Sequence, residues 1–299
     1  MLTERELDHF LDSFFAIPGE EPASRENSSE AGEELEAYQL PADGLIIRQM
    51  EKDGKVGHRT WFALVLMLLI VPALLYLSVR IFHGKKYMIS SLIVVFAAML
   101  PFFMMFEGRK PKAREIMVIA VLSALGVAGR AAFFMVPSFK PVAAFVILTG
   151  ISFGGEAGFL VGCLIMLISN MFMGHGPWTP WQMFSWGMIG LVTGLLYRIG
   201  AFGTVGQVQT DEHGKRKKPV RLCVFGFFCG IAYGWFMNLQ YIIGYVDPIN
   251  WKTIGLAYAQ SLYFDISHGV CTALVLYLAA EPWTRKLMRI RRKFSLGER

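Results

Sequence analysis

Long apolar segments alternate with short polar, glycine-rich or proline-containing segments along most of the chain after residue 60. A helix needs roughly 20 mostly apolar residues to cross a bilayer core of about 30 Å, because its backbone groups must bond to one another there. The pattern therefore predicts an all-α, polytopic transmembrane helical bundle of about eight helices. The predicted spans are residues 61–82, 87–106, 115–136, 141–154, 157–173, 180–199, 221–243 and 254–280.

The predicted span at 141–154 is too short to cross a membrane comfortably by itself. Either this helix starts earlier, near Phe139, or it packs inside the bundle, where its contact with lipid is limited.

Lys and Arg residues cluster in regions that eight spans place on one side of the membrane. Short loops rich in these residues stay in the cytoplasm. Such clusters occur at 109–114, 198–221 and 285–293, and basic residues at 48–59 place the N-terminal tail on the same side. The loop at 80–86 is also basic and is interpreted as external against this trend. We therefore expect a multi-pass protein of the cell membrane with both termini cytoplasmic.

Four regions follow from this pattern. Residues 1–58 are polar and mostly acidic and are expected to be largely disordered, and without an apolar segment near Met1 they do not resemble a signal peptide. Residues 59–108 hold two extra helices, 109–283 a six-helix core, and 284–299 a basic tail. The 54% hydrophobic composition agrees with a membrane protein. The net charge of +6 lies mainly beside the spans, where it would meet lipid, and gives no reason to expect nucleic-acid binding.

Catalytic signatures are absent from the sequence. It contains no phosphate-binding GxxxxGK[ST] loop, no HExxH and no GxSxG, so transport or binding is favoured over catalysis. The cysteines lack metal-type spacing and fall inside predicted spans, where packing is their usual role. They are Cys163, Cys223, Cys229 and Cys271. We predict no catalytic residue, metal or cofactor.

An aromatic segment before the sixth predicted span is the strongest sign of a binding site. Trp178, Trp181 and Trp186 fall within nine residues, and Pro177 and Pro180 restrict the backbone at the start of that span. An interfacial aromatic belt accounts for one or two of these tryptophans. Aromatic faces beside a few polar groups, here Gln182, favour a pocket for a ring-bearing small molecule.

Polar residues in the last two spans extend this hypothesis. Asn238 and Tyr241 lie near the predicted outer end of the seventh span, and Tyr263, Asp265 and His268 lie in the outer half of the eighth. Ionisable groups inside a membrane usually face a cavity or a partner. The alternative is that Asp265 and His268, three residues apart, only pair with each other and lock helix packing.

Small residues form a stripe on the third predicted span. Ala120, Ala124 and Ala128 are spaced by four and so share one helix face. Such a stripe allows close approach of another helix, which by itself can be a helix of the same chain.

Taken together, the segment from about Arg114 to Ala280 resembles the substrate-binding membrane subunit, or S component, of energy-coupling factor (ECF) vitamin transporters. The resemblance rests on six spans, on Ala120-x-x-x-Ala124, and on a short helix that follows Phe139-Lys-Pro. It rests further on Phe-Gly-Gly at 153–155, on Ser-Asn at 169–170 and on Gly-Pro-Trp-Thr-Pro-Trp-Gln at 176–182. The acidic tail and two extra N-terminal spans depart from the family pattern.

The resemblance implies uptake of a vitamin or vitamin precursor from the outer face, driven by ATP. The partners it implies are a transmembrane coupling subunit, which would contact Ala120, Ala124 and Ala128, and two ATPase subunits. A corrinoid such as cobalamin is the first expectation for the substrate, and a flavin, thiamine-like or deazapurine ligand comes close behind. The implied substrate-binding residues are Phe134, Lys140, Asn170, Trp178, Trp181, Gln182, Trp186, Asn238, Tyr241, Tyr263, Asp265 and His268.

Three other classes stay open on the sequence. An ion- or proton-coupled carrier would use Asp265 and His268 and would work without ATPase partners. A membrane enzyme would convert its ligand, and a scaffold acting through the acidic tail would bind no small molecule.

Overall fold

The computed structural model describes residues 113–137, 139–203, 205 and 218–293, together with the single positions 93 and 99. These residues lie in one compact unit, Gly57–Arg299. The described part of the chain is all helical. The predicted tail at 1–58, the two predicted N-terminal spans and residues 294–299 lie outside it. The six helices of the described core are α1 (Ala113–Ala132), α2 (Val142–Phe153), α3 (Gly155–Met173), α4 (Thr179–Arg198), α5 (Val220–Tyr245) and α6 (Trp251–Lys293).

Four of the described helices, α1, α3, α5 and α6, are long and apolar enough to cross a membrane by length and composition. Helix α2 is apolar but shorter. The all-α, multi-pass class predicted from the sequence is therefore confirmed. The expected total of about eight helices extends beyond the described residues.

The short helix α2 lies inside the bundle. Ten of its twelve residues are buried, and the helix is packed against α3, α4 and α6. Of the two explanations for this short apolar segment, the structure supports packing inside the bundle, since little of α2 is exposed.

Glycines let α3 and α4 approach at backbone distance. A Cβ added at Gly158 would lie 2.9 Å from the carbonyl oxygen of Gly190, and one added at Gly162 would lie 2.5 Å from that of Trp186. Larger residues would push the two helices apart. This close contact holds the polar residues of α3 and α4 in one cluster at the end of the bundle where α3 ends and α4 begins.

Two helix ends lie more than three residues from their predicted positions. Helix α1 ends at Ala132 and not at residue 136, because the chain turns over residues 133–137 ahead of Lys140 and Pro141. Helix α6 continues past the predicted end at residue 280 to Lys293, even though Pro282 lies inside it. The ring of Trp283 packs edge-on against Phe145 of α2, with ring centroids 5.4 Å apart.

The start of α6 is capped by a side chain. The Oδ1 atom of Asn250 accepts hydrogen bonds from the backbone N–H groups of Lys252 and Thr253, each at 3.0 Å. Asn is among the preferred residues for this role because it satisfies donors that the first helical turn leaves unpaired. The cap fixes where α6 starts and so sets the depth of its polar residues in the bundle.

Candidate binding site

A chain of hydrogen bonds crosses the bundle from α1 to α5. The guanidinium group of Arg130, in the last turn of α1, donates to Ser169 Oγ and, at 2.8 Å, to Asn170 Oδ1 on α3. The Asn170 side-chain amide donates to Thr179 Oγ1 at 3.0 Å and to Gln182 Oε1 at 2.8 Å, both on α4. Gln182 Nε2 in turn donates to the hydroxyl of Tyr233 on α5, at 3.2 Å. We call these six residues the Arg130 network.

Aromatic rings border the Arg130 network on the side of α5 and α6. The ring of Trp186 stacks on that of Tyr233, with centroids 4.4 Å apart and planes inclined by 27°. The imidazole of His268 lies 5.4 Å from the Tyr233 ring and 6.3 Å from the Trp186 ring, centroid to centroid. Residues from five separate helices therefore meet in one cluster: an arginine, two amides, a tyrosine hydroxyl and three rings.

Lys140 lies beside this cluster. Its neighbour Pro141 packs on α1, since a Cβ added at Gly129 would lie 3.1 Å from Pro141 Cγ. This contact brings the loop before α2 against the last turn of α1, next to Arg130. Burial lowers the pKa of the Lys140 ammonium group below its ordinary range, and the positive charge of Arg130 lowers that pKa further.

A second polar group joins only α5 and α6. Asn238 Nδ2 donates to Ser261 Oγ at 2.6 Å, and Ser261 donates to the carboxylate of Asp265 at 2.9 Å. Asp265 is only 4% exposed and packs on the backbone of α5 at Gly234, where an added Cβ would overlap the carboxylate. We call Asn238, Ser261 and Asp265 the Asp265 network. Its carboxylate accepts a hydrogen bond from Ser261 and not from His268.

The residues predicted to bind substrate fall into separate places in the structure. Lys140, Asn170, Gln182, Trp186 and His268 come together at the Arg130 network. Asn238 and Asp265 form the Asp265 network.

The side chains of the other predicted site residues join neither network. Four are exposed, namely Phe134, Trp178, Tyr241 and Tyr263, and Tyr263 is the most exposed at 74%. Trp181 is buried inside the bundle, with its ring centroid 5.1 Å from that of Phe236.

Arg130 and Tyr233 are absent from the set of binding residues chosen from the sequence. Arg130 had a usable signal, because a charged residue in the last turn of an apolar helix has to find polar partners or leave the membrane. Tyr233 lies in the middle of an apolar helix, where the sequence gives no sign of the partner of its hydroxyl. Both become visible only when α1, α3, α4 and α5 are seen packed together.

The alanine stripe of α1 faces away from the described core. Ala120, Ala124 and Ala128 are exposed, as are the larger side chains of Ile116 and Met117 at 52% and 43%. The opposite face of α1 packs against α2 and α3, and its buried residues are Val118, Ile119, Leu122, Ser123 and Gly126. The stripe is therefore not explained by packing among the described helices of this chain.

The fold and this cluster define a multi-pass helical membrane protein with a polar and aromatic group enclosed at one end of the bundle. A model of the family described as ECF-type riboflavin transporter, S component, matches residues 110–282. The match covers more than half of the chain and includes all six described helices but for the end of α6. The protein belongs to this family, as its resemblance to ECF S components predicted.

Curated relatives match a smaller part of the chain. A UPF0397 protein of Vibrio atlanticus is 38% identical over 88 residues, which is 28% of this chain and 48% of the relative. A UPF0397 protein of Aliivibrio fischeri is 34% identical over the same length, with the same coverage. The chain thus spans about half the length of the curated relatives that it matches. No solved structure matches it.

Proposed function

We propose that the protein is the substrate-binding subunit of an ECF-type transporter, and that it binds a vitamin-type small molecule at the Arg130 network. The observation that carries this proposal is the convergence of Arg130, Asn170, Gln182 and Tyr233 from four helices inside a core that the S component family matches from 110 to 282. A few polar groups that converge beside aromatic rings are the usual composition of a small-molecule site. The protein releases its ligand unchanged, and it catalyses no reaction itself.

We propose a compact planar ring, rather than a very large one, as the ligand. The corrinoid expected from the sequence relied on three tryptophans near one surface. In the structure Trp181 and Trp186 are 1% and 2% exposed, and only Trp178 lies at the surface. The rings of Trp186 and Tyr233 instead offer an enclosed aromatic pair. Riboflavin is therefore the first ligand to test, because the matching family carries its name, and cobalamin is the second.

Ligand binding would exchange hydrogen bonds within the Arg130 network for bonds to the ligand. The amide groups of Asn170 and Gln182 are bonded to each other and to neighbouring side chains in the described structure. Each exchanged neutral hydrogen bond contributes only about 0.5–1.5 kcal/mol, whereas one to a charged group contributes about 1.5–3 kcal/mol. Affinity would thus come mainly from ring burial and from Arg130.

The exposed face of α1 is the proposed contact with the coupling subunit. Ala120, Ala124 and Ala128 present a flat strip on which a second helix can approach closely. The coupling subunit would carry the protein together with two ATPase subunits, and their ATP hydrolysis would drive release of the ligand on the inner side. This arrangement assigns energy coupling to α1 and ligand binding to the end of the same helix.

A paired substitution tests the coupling face. Ala124→Trp should disrupt copurification with the coupling subunit while ligand affinity stays within about twofold, because a bulky ring blocks close helix approach. Ala232→Trp, on an exposed position of α5, is the matched control and should leave the complex intact. Equal copurification of both variants would contradict the assigned face.

Transport assays separate the proposed function from an independent carrier. Proteoliposomes that hold this chain, the coupling subunit and the ATPases should accumulate labelled riboflavin only when ATP is supplied. Proteoliposomes with this chain alone should not. Uptake by the chain alone in response to a pH gradient would instead support the proton-coupled carrier.

A further inference from the structure

Two positive side chains at the candidate site have no carboxylate partner within the part of the chain that the structure describes. Among the described residues, Arg130 donates hydrogen bonds only to the neutral oxygens of Ser169 and Asn170. Lys140 has no hydrogen bond or ion pair in the described part of the chain. It directly precedes Pro141, which packs on α1 at Gly129, the neighbour of Arg130. We call Arg130 and Lys140 the cation pair.

Carboxylates elsewhere in the described residues do not neutralise the cation pair. Asp265 is buried, but its carboxylate accepts a hydrogen bond from Ser261 and packs on Gly234. Asp247 lies exposed in the loop between α5 and α6. Neither residue interacts with Arg130 or Lys140.

The cation pair is costly as it stands. Both side chains are half-buried, and like charges close together oppose each other more strongly where water is scarce. Arg130 uses one guanidinium nitrogen for its two bonds, so its other donors have no acceptor among the described residues. Paired guanidinium donors match the two oxygens of a carboxylate or phosphate.

The stacked rings of Trp186 and Tyr233 belong to the same cluster as these cations. Hydrogen bonds connect Arg130 to Tyr233 through the side chains of Asn170 and Gln182. The Tyr233 ring in turn lies 5.4 Å from that of His268, centroid to centroid. The cluster therefore brings Arg130 and Lys140 together with the rings of Trp186, Tyr233 and His268. A ligand that fits this arrangement has a ring at one end and an anion at the other.

We infer that the transported ligand carries an anionic substituent, a carboxylate or a phosphate, which binds between Arg130 and Lys140 while its ring lies against Trp186 and Tyr233. This inference rests on the proposed substrate site and specifies the chemical class of its ligand.

Riboflavin and flavin mononucleotide form a matched pair of probes, because they share one ring and differ by a phosphate. Both are titrated against the full-length protein in lipid-free detergent, with quenching of flavin fluorescence as the signal. Wild type should bind the phosphorylated form at least about tenfold more tightly, the gain expected from one charge-assisted contact. Lys140→Gln should reduce the ratio to within about twofold.

Lys252→Gln is the matched control, since Lys252 is exposed at the same end of the bundle. It should keep the wild-type ratio. Melting temperatures of both variants within about 2 °C of wild type would show that folding is unaffected. Equal binding of the two flavins by wild type, or an unchanged ratio in Lys140→Gln, would overturn the inference while leaving riboflavin binding, and so the proposed function, in place.

A second measurement separates failure of the flavin assignment from failure of the anion site. Inorganic phosphate should raise the melting temperature of wild type and not that of Lys140→Gln. This result with no binding of either flavin would support the anion site and reject a flavin substrate. Absence of any phosphate effect together with absence of flavin binding would overturn the inference. Competition by phosphatidylglycerol nanodiscs that depends on Lys140 would assign the cation pair to a lipid headgroup and would also overturn it.

Discussion

The Arg130 network and the Asp265 network are both buried polar groups toward the same end of the bundle, yet they are built differently. The Arg130 network draws residues from α1, α3, α4 and α5, and Lys140 and His268 lie beside it. The Asp265 network joins only α5 and α6 and closes on Asp265, which packs on Gly234. The first has positive charge and donors that find no acceptor among the described residues, and the second is closely packed.

A buried polar residue in a membrane helix can therefore serve helix packing or ligand binding, and the two networks show how these cases differ. A polar group that is fully bonded between two helices specifies how they pack. A group that collects residues from many helices, with charge left without a counter-charge, is suited to bind something else. The sequence places both Asp265 and Gln182 in the predicted binding site, whereas in the structure they belong to different networks.

Removal of the Arg130 guanidinium group should have the largest effect on ligand affinity. Arg130→Gln is expected to weaken ligand binding by about a hundredfold, because it removes charge-assisted hydrogen bonds of about 1.5–3 kcal/mol and leaves Asn170 without its donor. Isothermal titration with the best-binding vitamin measures the loss. Arg198→Gln, at the exposed end of α4, should change the affinity by less than about twofold. Similar losses in both variants would show that Arg130 acts only through net charge.

Loss of the stacked ring should have the next largest effect. Trp186→Ala is expected to weaken binding by about tenfold or more, because the ring that stacks on Tyr233 is removed. Trp186→Phe keeps an aromatic face and should stay within about threefold of wild type. Thermal melting must accompany the titration, since a Trp-to-Ala change in a core also costs about 3–5 kcal/mol of stability. Equal affinities for the two variants would remove Trp186 from the site.

Trp181→Ala provides a useful comparison with that result. Trp181 is among the substrate-binding residues expected from the sequence, and if its ring stacks on the ligand, truncation should weaken binding by about tenfold or more. In the structure this ring lies against Phe236. A fall in melting temperature with little change in affinity would show that Trp181 serves the packing of α4 on α5. A loss of affinity without a fall in melting temperature would show that Trp181 contacts the ligand.

The pH dependence of binding should show a moderate effect at Lys140. Because burial and Arg130 lower the pKa of this ammonium group, it loses its proton at a lower pH than an ordinary lysine. An anionic ligand binds the protonated form, so its affinity should fall as the pH rises through that lowered pKa. Flavin mononucleotide titrated from pH 7 upward measures the fall, and Lys140→Gln should flatten the profile. A rise in affinity over this range would contradict the sign.

Substitution in the Asp265 network should have the smallest effect on binding. Asp265→Asn keeps an acceptor for Ser261 and should change ligand affinity by less than about threefold. Gly234→Ala should instead lower the melting temperature, because its Cβ would overlap the Asp265 carboxylate and overpacking typically costs about 1–3 kcal/mol. Asp247→Asn is the control and should leave the affinity unchanged. A large loss of affinity in Asp265→Asn alone would show that the Asp265 network also contributes to ligand binding.

Much of the helical core was predictable because apolar length is a local property of the sequence. The starts of α3 and α4 were predicted within two residues, and the family resemblance was visible in the segment around Trp178 and Trp181. The end of α1 was predicted too far along, because the residues at 133–136 are apolar and yet form a turn. The expected orientation of the termini remains a prediction.

Contacts between helices were the part that the sequence did not reveal. Arg130 and Asn170 are 40 positions apart, and the bond from Gln182 to Tyr233 spans 51. Helical periodicity identifies which residues share a face, but it does not say which two faces meet. Gln182 was therefore recognised beside its tryptophans, whereas its link to Tyr233 required the packed bundle.

Analysis of the small molecules that copurify with the full-length protein in mild detergent tests the central claim most directly. Mass spectrometry should find a vitamin-type ring compound on wild type at substantial occupancy, and its occupancy should fall strongly on Arg130→Gln but not on Arg198→Gln. The same compound at equal occupancy on all three proteins would contradict binding at the Arg130 network. A wild-type protein that carries no such compound, binds no member of a vitamin panel and moves protons in liposomes would contradict the transporter assignment itself.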